Sequence, residues 1–367
     1  MMNISFMTGT RADYSKIKPL IEYFLTKDFL TVYIFVTGMH LQKKYGHTVD
    51  IIEADFASRC RIIKDKKQKY ADSAERTAHV MQNFNMHLTA DNIDYVFVHG
   101  DRPDALAAAL AASFHNIPVC HIEAGDLSGS IDEALRHAVS KLAHTFLVTD
   151  KAAEKILIRL GEDHKNIHII GNPSLANEPT LCPTGFKIPF NEYAILIYHP
   201  VTTLTKQYIS QEIHDIMQKL CESKRNYIVI LPNNDQHNEV ILAEYAQYKK
   251  HRHFRFYPSL NFDVFTCLLK NAAFLIGNSS CGVKEAPFYH TPVIDIGIRQ
   301  NNRFSPQKSP DFIHIETPQE ILHAIDNIVQ NRCCFNHERY RQKLFQKLDE
   351  IVTDDFWHPK IQKEFHQ

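Results

Sequence analysis

The sequence predicts an α/β protein made of two doubly wound parallel sheets, and three observations carry that expectation. Short β-branched and aromatic runs recur along the chain, each followed by a longer segment of helical period, the pattern of parallel strands covered by helices. That rhythm breaks once, after Gly171-Asn172-Pro173, in a segment with four prolines and little periodicity, as an interdomain linker would. The chain has 367 residues, 44% of them hydrophobic, which is enough apolar material for two cores of ordinary size.

In the first half, strands are expected at 3–7 (NISFM), 31–36 (TVYIFV), 95–98 (YVFV), 118–121 (PVCH), 145–148 (TFLV) and 168–170 (HII). In the second half they are expected at 193–198 (YAILIY), 227–231 (YIVIL), 254–257 (FRFY), 274–276 (FLI), 293–296 (VIDI) and 313–315 (IHI). Each is rich in side chains that suit a pleated, buried surface. The implied organisation is an N-terminal domain over 1–172, a linker over 173–190 and a second domain over 191–345. Tandem units of this kind imply a cleft, and ligands of open α/β sheets bind outside the carboxyl ends of the strands. The residues just after each strand therefore carry the functional reading.

Composition narrows the partners. Lysine plus arginine (41) nearly cancels aspartate plus glutamate (42), so no global field draws nucleic acid or an anionic membrane, and any bound anion needs a local site. The N-terminus lacks the basic, apolar and small-residue regions of a secretory signal, and the apolar runs are far shorter than the roughly 20 residues needed to cross a bilayer. A cytoplasmic protein is expected. Cys60, Cys120, Cys182, Cys221, Cys267, Cys281, Cys333 and Cys334 form no CxxC pair and read as reduced thiols. The histidines are scattered without an HExxH or Cys/His cluster, so neither a metal nor another cofactor is expected.

The first strand runs into Gly9-Thr10-Arg11-Ala12-Asp13 and then Lys16 at a helix start. Free amide donors and fixed cations there would suit a phosphate or diphosphate, although an ordinary βα turn would look the same. The strands ending near 98 and 121 lead into HGDRPDALAAA and HIEAGDLSGSIDEALRHAVSKLAH. They bring His99, Asp101, Arg102, His121, Glu123, Asp126, Asp132, Arg136 and His137 to one sheet edge, a density of ionisable groups that stability alone does not require. Asp101 and Glu123, each directly after a β-run, read as catalytic. Local alternatives are a Ser130–Glu133 capping box and a plain Asp132–Arg136 helical pair.

In the second half, Tyr198-His199-Pro200, Pro232-Asn233-Asn234-Asp235 and Gly277-Asn278-Ser279-Ser280-Cys281-Gly282 follow strands. The last reads as a hydroxyl-bearing loop that offers Ser279, Ser280 and backbone N–H groups to a diphosphate at a helix N-terminus. Glu285, one turn on, could accept from a ribose diol or simply face solvent. Arg299 adds a cation at the same edge.

GTRADYSK, VTGMHL, HGDR, HIEAGDLSGSIDEALRHAVSKLAH, YHPVTT, PNND, GNSSCGVKEAP and GIRQNNR, spread over residues 3–304 in order, resemble the hydrolysing UDP-N-acetylglucosamine 2-epimerases. These include the bacterial sialic-acid enzymes and the epimerase half of the animal bifunctional epimerase/kinase. The resemblance implies a glycosyltransferase-B type fold with two Rossmann-like domains and a C-terminal helix, 346–367, returning to the first domain. It implies conversion of UDP-N-acetylglucosamine and water to N-acetylmannosamine and UDP. Asp101, Glu123 and Asp132 become the catalytic carboxylates, and Arg11, Lys16, Arg102, His199, Asn233, Ser279, Ser280, Glu285 and Arg299 become contacts to UDP. Family members also imply a homodimer or homotetramer, for which 64–86 is a candidate surface.

The chemistry asks for that many carboxylates. A C2 proton beside an intact acetal is not acidic, so inversion is easiest if UDP and the proton leave together to give a glycal, which then adds water. One group must take the C2 proton, one must return a proton from the opposite face, and one must deprotonate water. This chain reads Glu123-Ala124-Gly125-Asp126 where bacterial sialic-acid members usually read Glu-Gly-Gly-Glu. The departure admits a diacetamido-trideoxyhexose as the alternative sugar. A non-hydrolysing epimerase, a glycosyltransferase and an inactive nucleotide-sugar-binding regulator are the rivals. Glu285 is followed by Ala286-Pro287, not by the second glutamate typical of the non-hydrolysing branch.

Overall fold

The computed structural model describes residues 1–65, 72–127, 131–177, 186–233, 235–260, 262–300, 311–328 and 336–364. Much of the expected linker, Ser130 of the capping box, Asn234, Cys182, Cys333 and Cys334 lie outside the described residues. The chain divides into two compact units, one of Met1–Leu127, Asp132–Asn177 and His337–Gln367, the other built on Glu178–Asn336.

The first unit carries β1 (Met2–Thr8), β2 (Leu30–Val36), β3 (Arg61–Lys64), β4 (Tyr95–His99), β5 (Val119–Ile122), β6 (Thr145–Val148) and β7 (Ile167–Ile169). All pairings are parallel, in the order β3-β2-β1-β4-β5-β6-β7. Its helices are α1 (Arg11–Phe24), α2 (Val49–Phe56), α3 (Ser73–Ala90), α4 (Pro103–Phe114), α5 (Ile131–Leu142) and α6 (Lys151–Arg159). Every strand expected in this half is present. The one not foreseen is β3, an edge strand whose two isoleucines are half-buried between exposed charges, too short for alternation to register.

Two apolar clusters cover the sheet's faces. One holds Ile4, Phe6, Ile17, Phe24, Ile34 and Phe97; the other holds Val80, Phe84, Val96, Val98 and the alanines of α4. The alanine face lets α4 approach α3 closely, because Ala adds little bulk and loses no side-chain entropy in a helix. Pro19 lies inside α1, where it removes the N–H that would bond the Ser15 carbonyl. Asn177 supplies the missing donor, its Nδ2 lying 2.7 Å from Ser15 O. That bond ties the segment after β7 to the helix that carries Lys16.

The second unit carries β8 (Ala194–Ile197), β9 (Tyr227–Ile230), β10 (Phe254–Tyr257), β11 (Leu275–Gly277), β12 (Val293–Ile296) and β13 (Phe312–Ile315). They form a second all-parallel sheet, ordered β10-β9-β8-β11-β12-β13. Its helices are α7 (Lys206–Glu222), α8 (Asn238–Gln247), α9 (Phe262–Asn271), α10 (Cys281–Lys284) and α11 (Ile321–Asn327). All strands expected in this half are present too. Both sheets change winding direction beside their first strand, the topological switch point where doubly wound folds gather ligand-binding loops.

The last helices, α12 (His337–Ile351) and α13 (Asp354–Trp357), belong to the first unit, where Leu344, Leu348, Phe356 and Trp357 join its core. Phe356 stacks on Tyr95 at 5.5 Å, and Trp357 meets Phe24 edge-on at 5.6 Å. Among the described residues no helix is long and apolar enough to cross a membrane.

Cys60, Cys120, Cys221 and Cys281 are free thiols, but Cys267 is disulfide-bonded, which corrects the expectation of uniformly reduced cysteines. Without a CxxC spacing, only the fold decides which sulfurs meet.

Candidate active site

In the first unit, β1, β4 and β5 lie side by side and deliver their C-terminal loops to one edge. Thr10 caps α1, its Oγ1 accepting from Asp13 N at 3.3 Å. Asp13 Oδ2 accepts from Thr10 N at 2.9 Å and from Gly9 N at 3.2 Å. The idea of free amide donors for an anion therefore does not hold for these three N–H groups, which are satisfied within the turn by a capping box.

Glu123 follows β5 with a left-handed backbone, φ 58°, a conformation disfavoured for a side-chain-bearing residue and typical of functional sites. Its Oε1 lies 3.1 Å from Lys16 Nζ and its Oε2 3.3 Å from His99 Nε2. Lys16 also donates to Asn172 Oδ1 at 2.9 Å. Lys16 and Glu123 are both buried, and the lysine expected at the nucleotide stands beside a carboxylate expected to be catalytic. His99 Nδ1 faces Asp13 Oδ1 at 3.5 Å. Burial alone would push the His99 pKa down, but Asp13 and Glu123 outweigh it and hold it up at about 9, so the ring is an imidazolium at neutral pH. Burial pushes the Asp13 carboxyl up, and its contact with His99, with the charge of Arg102 beyond it, more than offsets that, leaving it below its usual value.

Asp101 follows β4 across Gly100, which has a φ of 71°, and is ion-paired through Oδ2 with Arg136 Nη2 of α5. Arg136 Nη1 donates to the Asp126 carbonyl at 2.9 Å. The arginine thus pins the β4 and β5 loops together. Asp132 is also among the carboxylates, after Asp101, Asp126 and Glu123, that raise the Arg136 pKa against burial. Arg11, Arg102 and Asp132 are all partly exposed.

His121, grouped with the reactive residues from sequence, is structural. Its Nε2 donates to Gly100 O at 2.8 Å and its Nδ1 accepts from the Ser140 hydroxyl at 3.0 Å. Burial drives its pKa down to about 3, so the neutral ring bolts the β4 loop to α5.

In the altered Glu123–Asp126 loop, Ala124 is fully buried in the core beside Val139, Phe146 and Leu157. Gly125 has φ 77°, and a Cβ there would lie 2.3 Å from Ala153 O. Of Ala124, Gly125 and Asp126, only Asp126 has a side chain outside that packing; its Oδ1 accepts from the Thr149 hydroxyl at 3.2 Å.

The second unit gathers its residues around Asn278. Asn278 Oδ1 accepts from His199 N at 2.7 Å and its Nδ2 donates to His199 O at 2.8 Å. Its carbonyl accepts from Gln300 Nε2 at 2.7 Å and Arg299 Nη1 at 3.2 Å. Asn233 N donates to His199 Nδ1 at 3.2 Å, and Asp235 Oδ2 stands 4.0 Å from Arg299 Nη2. His199, Asn233 and Arg299 are thereby brought together. Asn278, Gln300 and Asp235 received no role from sequence, and an Asn directly after a strand was the available signal. Ser279 and Ser280 are half-buried before α10.

The helix expected there is a single turn, ending at Lys284 and passing into a 3₁₀ turn at Ala286–Tyr289. Pro287 cannot continue an α-helix, so little macrodipole is available for an anion. Glu285 is buried, which overturns its reading as a solvent-facing acid.

Two all-parallel units of Rossmann-like strand order, with paired carboxylates and cations at the strand ends of the first, define an α/β enzyme of the glycosyltransferase-B fold. A family model described as UDP-N-acetylglucosamine 2-epimerase matches residues 25–348, and the chain belongs to that family. It is 36% identical, over 100% of this chain and 99% of the relative, to the UDP-N-acetylglucosamine 2-epimerase of Neisseria meningitidis serogroup B. It is 32% identical, over 87% of this chain and 86% of the relative, to the Legionella pneumophila UDP-N,N'-diacetylbacillosamine 2-epimerase (hydrolyzing). A solved structure of the Methanocaldococcus jannaschii UDP-GlcNAc 2-epimerase, in complex with UDP-GlcNAc and UDP, matches with TM-score 0.77 over 95% of this chain and 100% of that chain, at 18% identity.

Proposed function

We propose that this chain is a hydrolysing UDP-N-acetylglucosamine 2-epimerase that makes N-acetylmannosamine and UDP for nonulosonic (sialic) acid synthesis. The observation that carries the reading is the pair of separately held carboxylates, Glu123 between Lys16 and His99, and Asp101 on Arg136. Two carboxylates with different cation partners can hold complementary protonation states, as a reaction that removes a proton and later returns one requires.

In the first step the C1–O bond breaks, its electron pair leaving on UDP, while the C2–H pair forms the C1=C2 bond and a carboxylate takes the proton. In the second, C2 takes a proton from the opposite face and water oxygen bonds to C1, losing its own proton to a carboxylate. Asp101, Glu123 and Asp132 supply these positions. Arg11, Lys16, Arg102, His199, Asn233, Ser279, Ser280, Glu285 and Arg299 are the residues assigned to UDP and to its departing charge. Hydrolysis, as against return of UDP, is favoured by the named hydrolysing relative and by Ala286-Pro287 after Glu285.

The test follows UDP-N-acetylglucosamine by NMR in D2O without acceptor. Free N-acetylmannosamine deuterated at C2, released with UDP, is expected. Recovery of UDP-N-acetylmannosamine would transfer the chain to the non-hydrolysing type, and turnover only of a diacetamido substrate would change the sugar.

The diacetamido alternative has its own discriminating residue. With Ala124 and Gly125 committed to packing, Asp126→Glu is expected to change the ratio of kcat/KM between the two sugars by about tenfold or more. Ala124→Gly should leave that ratio unchanged and cost about 1 kcal/mol of stability. A ratio that moved with Ala124→Gly and not with Asp126→Glu would refute this assignment.

A further inference from the structure

The Gly9–Asp13 turn and the carboxylate after β5 are separate motifs in sequence, yet one histidine joins them. We propose that His99 is a positioning residue that bridges Asp13 and Glu123 as a cation, fixing one oxygen of Glu123 while Lys16 fixes the other, so that the turn after β1 and the catalytic carboxylate act as one unit.

The geometry carries this. Asp13 is immobilised by two backbone N–H groups through Oδ2 and presents Oδ1 to His99 Nδ1 at 3.5 Å. The other ring nitrogen reaches Glu123 Oε2 at 3.3 Å, and Oε1 is met by Lys16 at 3.1 Å. Neither approach has hydrogen-bond geometry, so both are ion-pair contacts, and a carboxylate oxygen facing each ring nitrogen favours the imidazolium, the form that carries an N–H on both.

Charge balance points the same way. Asp13 and Glu123 are neutralised by His99 and Lys16 as a buried set of four. A neutral His99 would leave one negative charge uncompensated where water cannot screen it. The other charged or titratable neighbours include Arg102, which acts on Asp13, Arg136, which acts on Glu123 from its pair with Asp101, and His40 and His121, both held neutral by burial. Because the His99 pKa is raised by its partners, the stabilisation is fully present below the unfolded imidazole value of about 6.5. It is lost as pH rises through about 9.

The inference rests on Glu123 being catalytic, and its test separates the two ideas. In the unmodified protein, imidazole nitrogen NMR is expected to find His99 protonated through pH 8 and titrating near 9, with Asp13→Asn and Glu123→Gln each lowering that value. His99→Gln is expected to lower kcat by about 10²-fold while changing KM less than about threefold, and to lack the alkaline limb expected of wild type near pH 9.

A His99 that titrates below pH 7 in the intact protein overturns the bridge whatever the substrate is. So does a His99→Gln variant that keeps the wild-type alkaline limb. A His99 that titrates near 9 in a protein that turns over neither nucleotide sugar supports the bridge and sinks the functional reading instead.

Discussion

Glu123→Gln is expected to lower kcat by about 10²–10⁴-fold, the usual worth of a positioned acid or base, while UDP affinity changes less than about threefold. The neutral isostere keeps volume and one acceptor oxygen but cannot take a proton. It also leaves Lys16 and His99, both within 3.3 Å of the native carboxylate, without their anion. UDP contacts assigned to the second unit do not involve this residue, which is why binding and turnover should separate. Kinetics and calorimetric UDP titration together check it, and near-normal turnover would remove Glu123 from the mechanism. The parallel Asp101→Asn variant should lose turnover likewise, with an added structural cost from stranding Arg136.

The largest effect on stability is expected away from the reacting groups. Arg76 and Asp104 are buried, with Arg76 Nε 3.0 Å from Asp104 Oδ1 and a second bond from Nη2 to Oδ2. The pair lies against the turns after β1 and β2. A Cβ on Gly9 would come 2.7 Å from Asp104 Oδ2, and one on Gly38 would come 2.3 Å from Arg76 Nη2. Arg76→Met leaves a buried carboxylate without its cation and should cost about 3–5 kcal/mol, whereas the double change Arg76→Met with Asp104→Leu should recover most of that loss. Urea midpoints of the two single variants and the double variant measure the coupling. A single variant losing under about 1 kcal/mol would show that the pair is dispensable.

Strand runs such as TFLV and VIDI were legible because a buried parallel strand announces itself in a few adjacent apolar residues. Glu123 and Asp101 were legible as carboxylates directly after such runs. What each would touch was not. Nothing in GTRADYSK says that Lys16 reaches Glu123, and the spacing of Asp132 and Arg136 gave no sign that the arginine also holds Asp101. His121 looked reactive by position, and its neutral, doubly hydrogen-bonded ring emerged only with Gly100 and Ser140 in place. The Ser279–Ser280 loop read as the start of a helix, which Pro287, already inside that motif, limits to a single turn.

By itself, then, the sequence determined two parallel α/β sheets and the acidic loops at their strand ends, since both depend on periodicity and turn chemistry within a few residues. The tertiary structure decided which charges neutralise one another: Asp13 and Glu123 with His99, Asp101 with Arg136, Asp104 with Arg76. The reason is physical. Local propensity is set by neighbours along the chain, whereas a buried charge is stable only beside a partner that folding carries to within about 4 Å, however far away it lies in sequence.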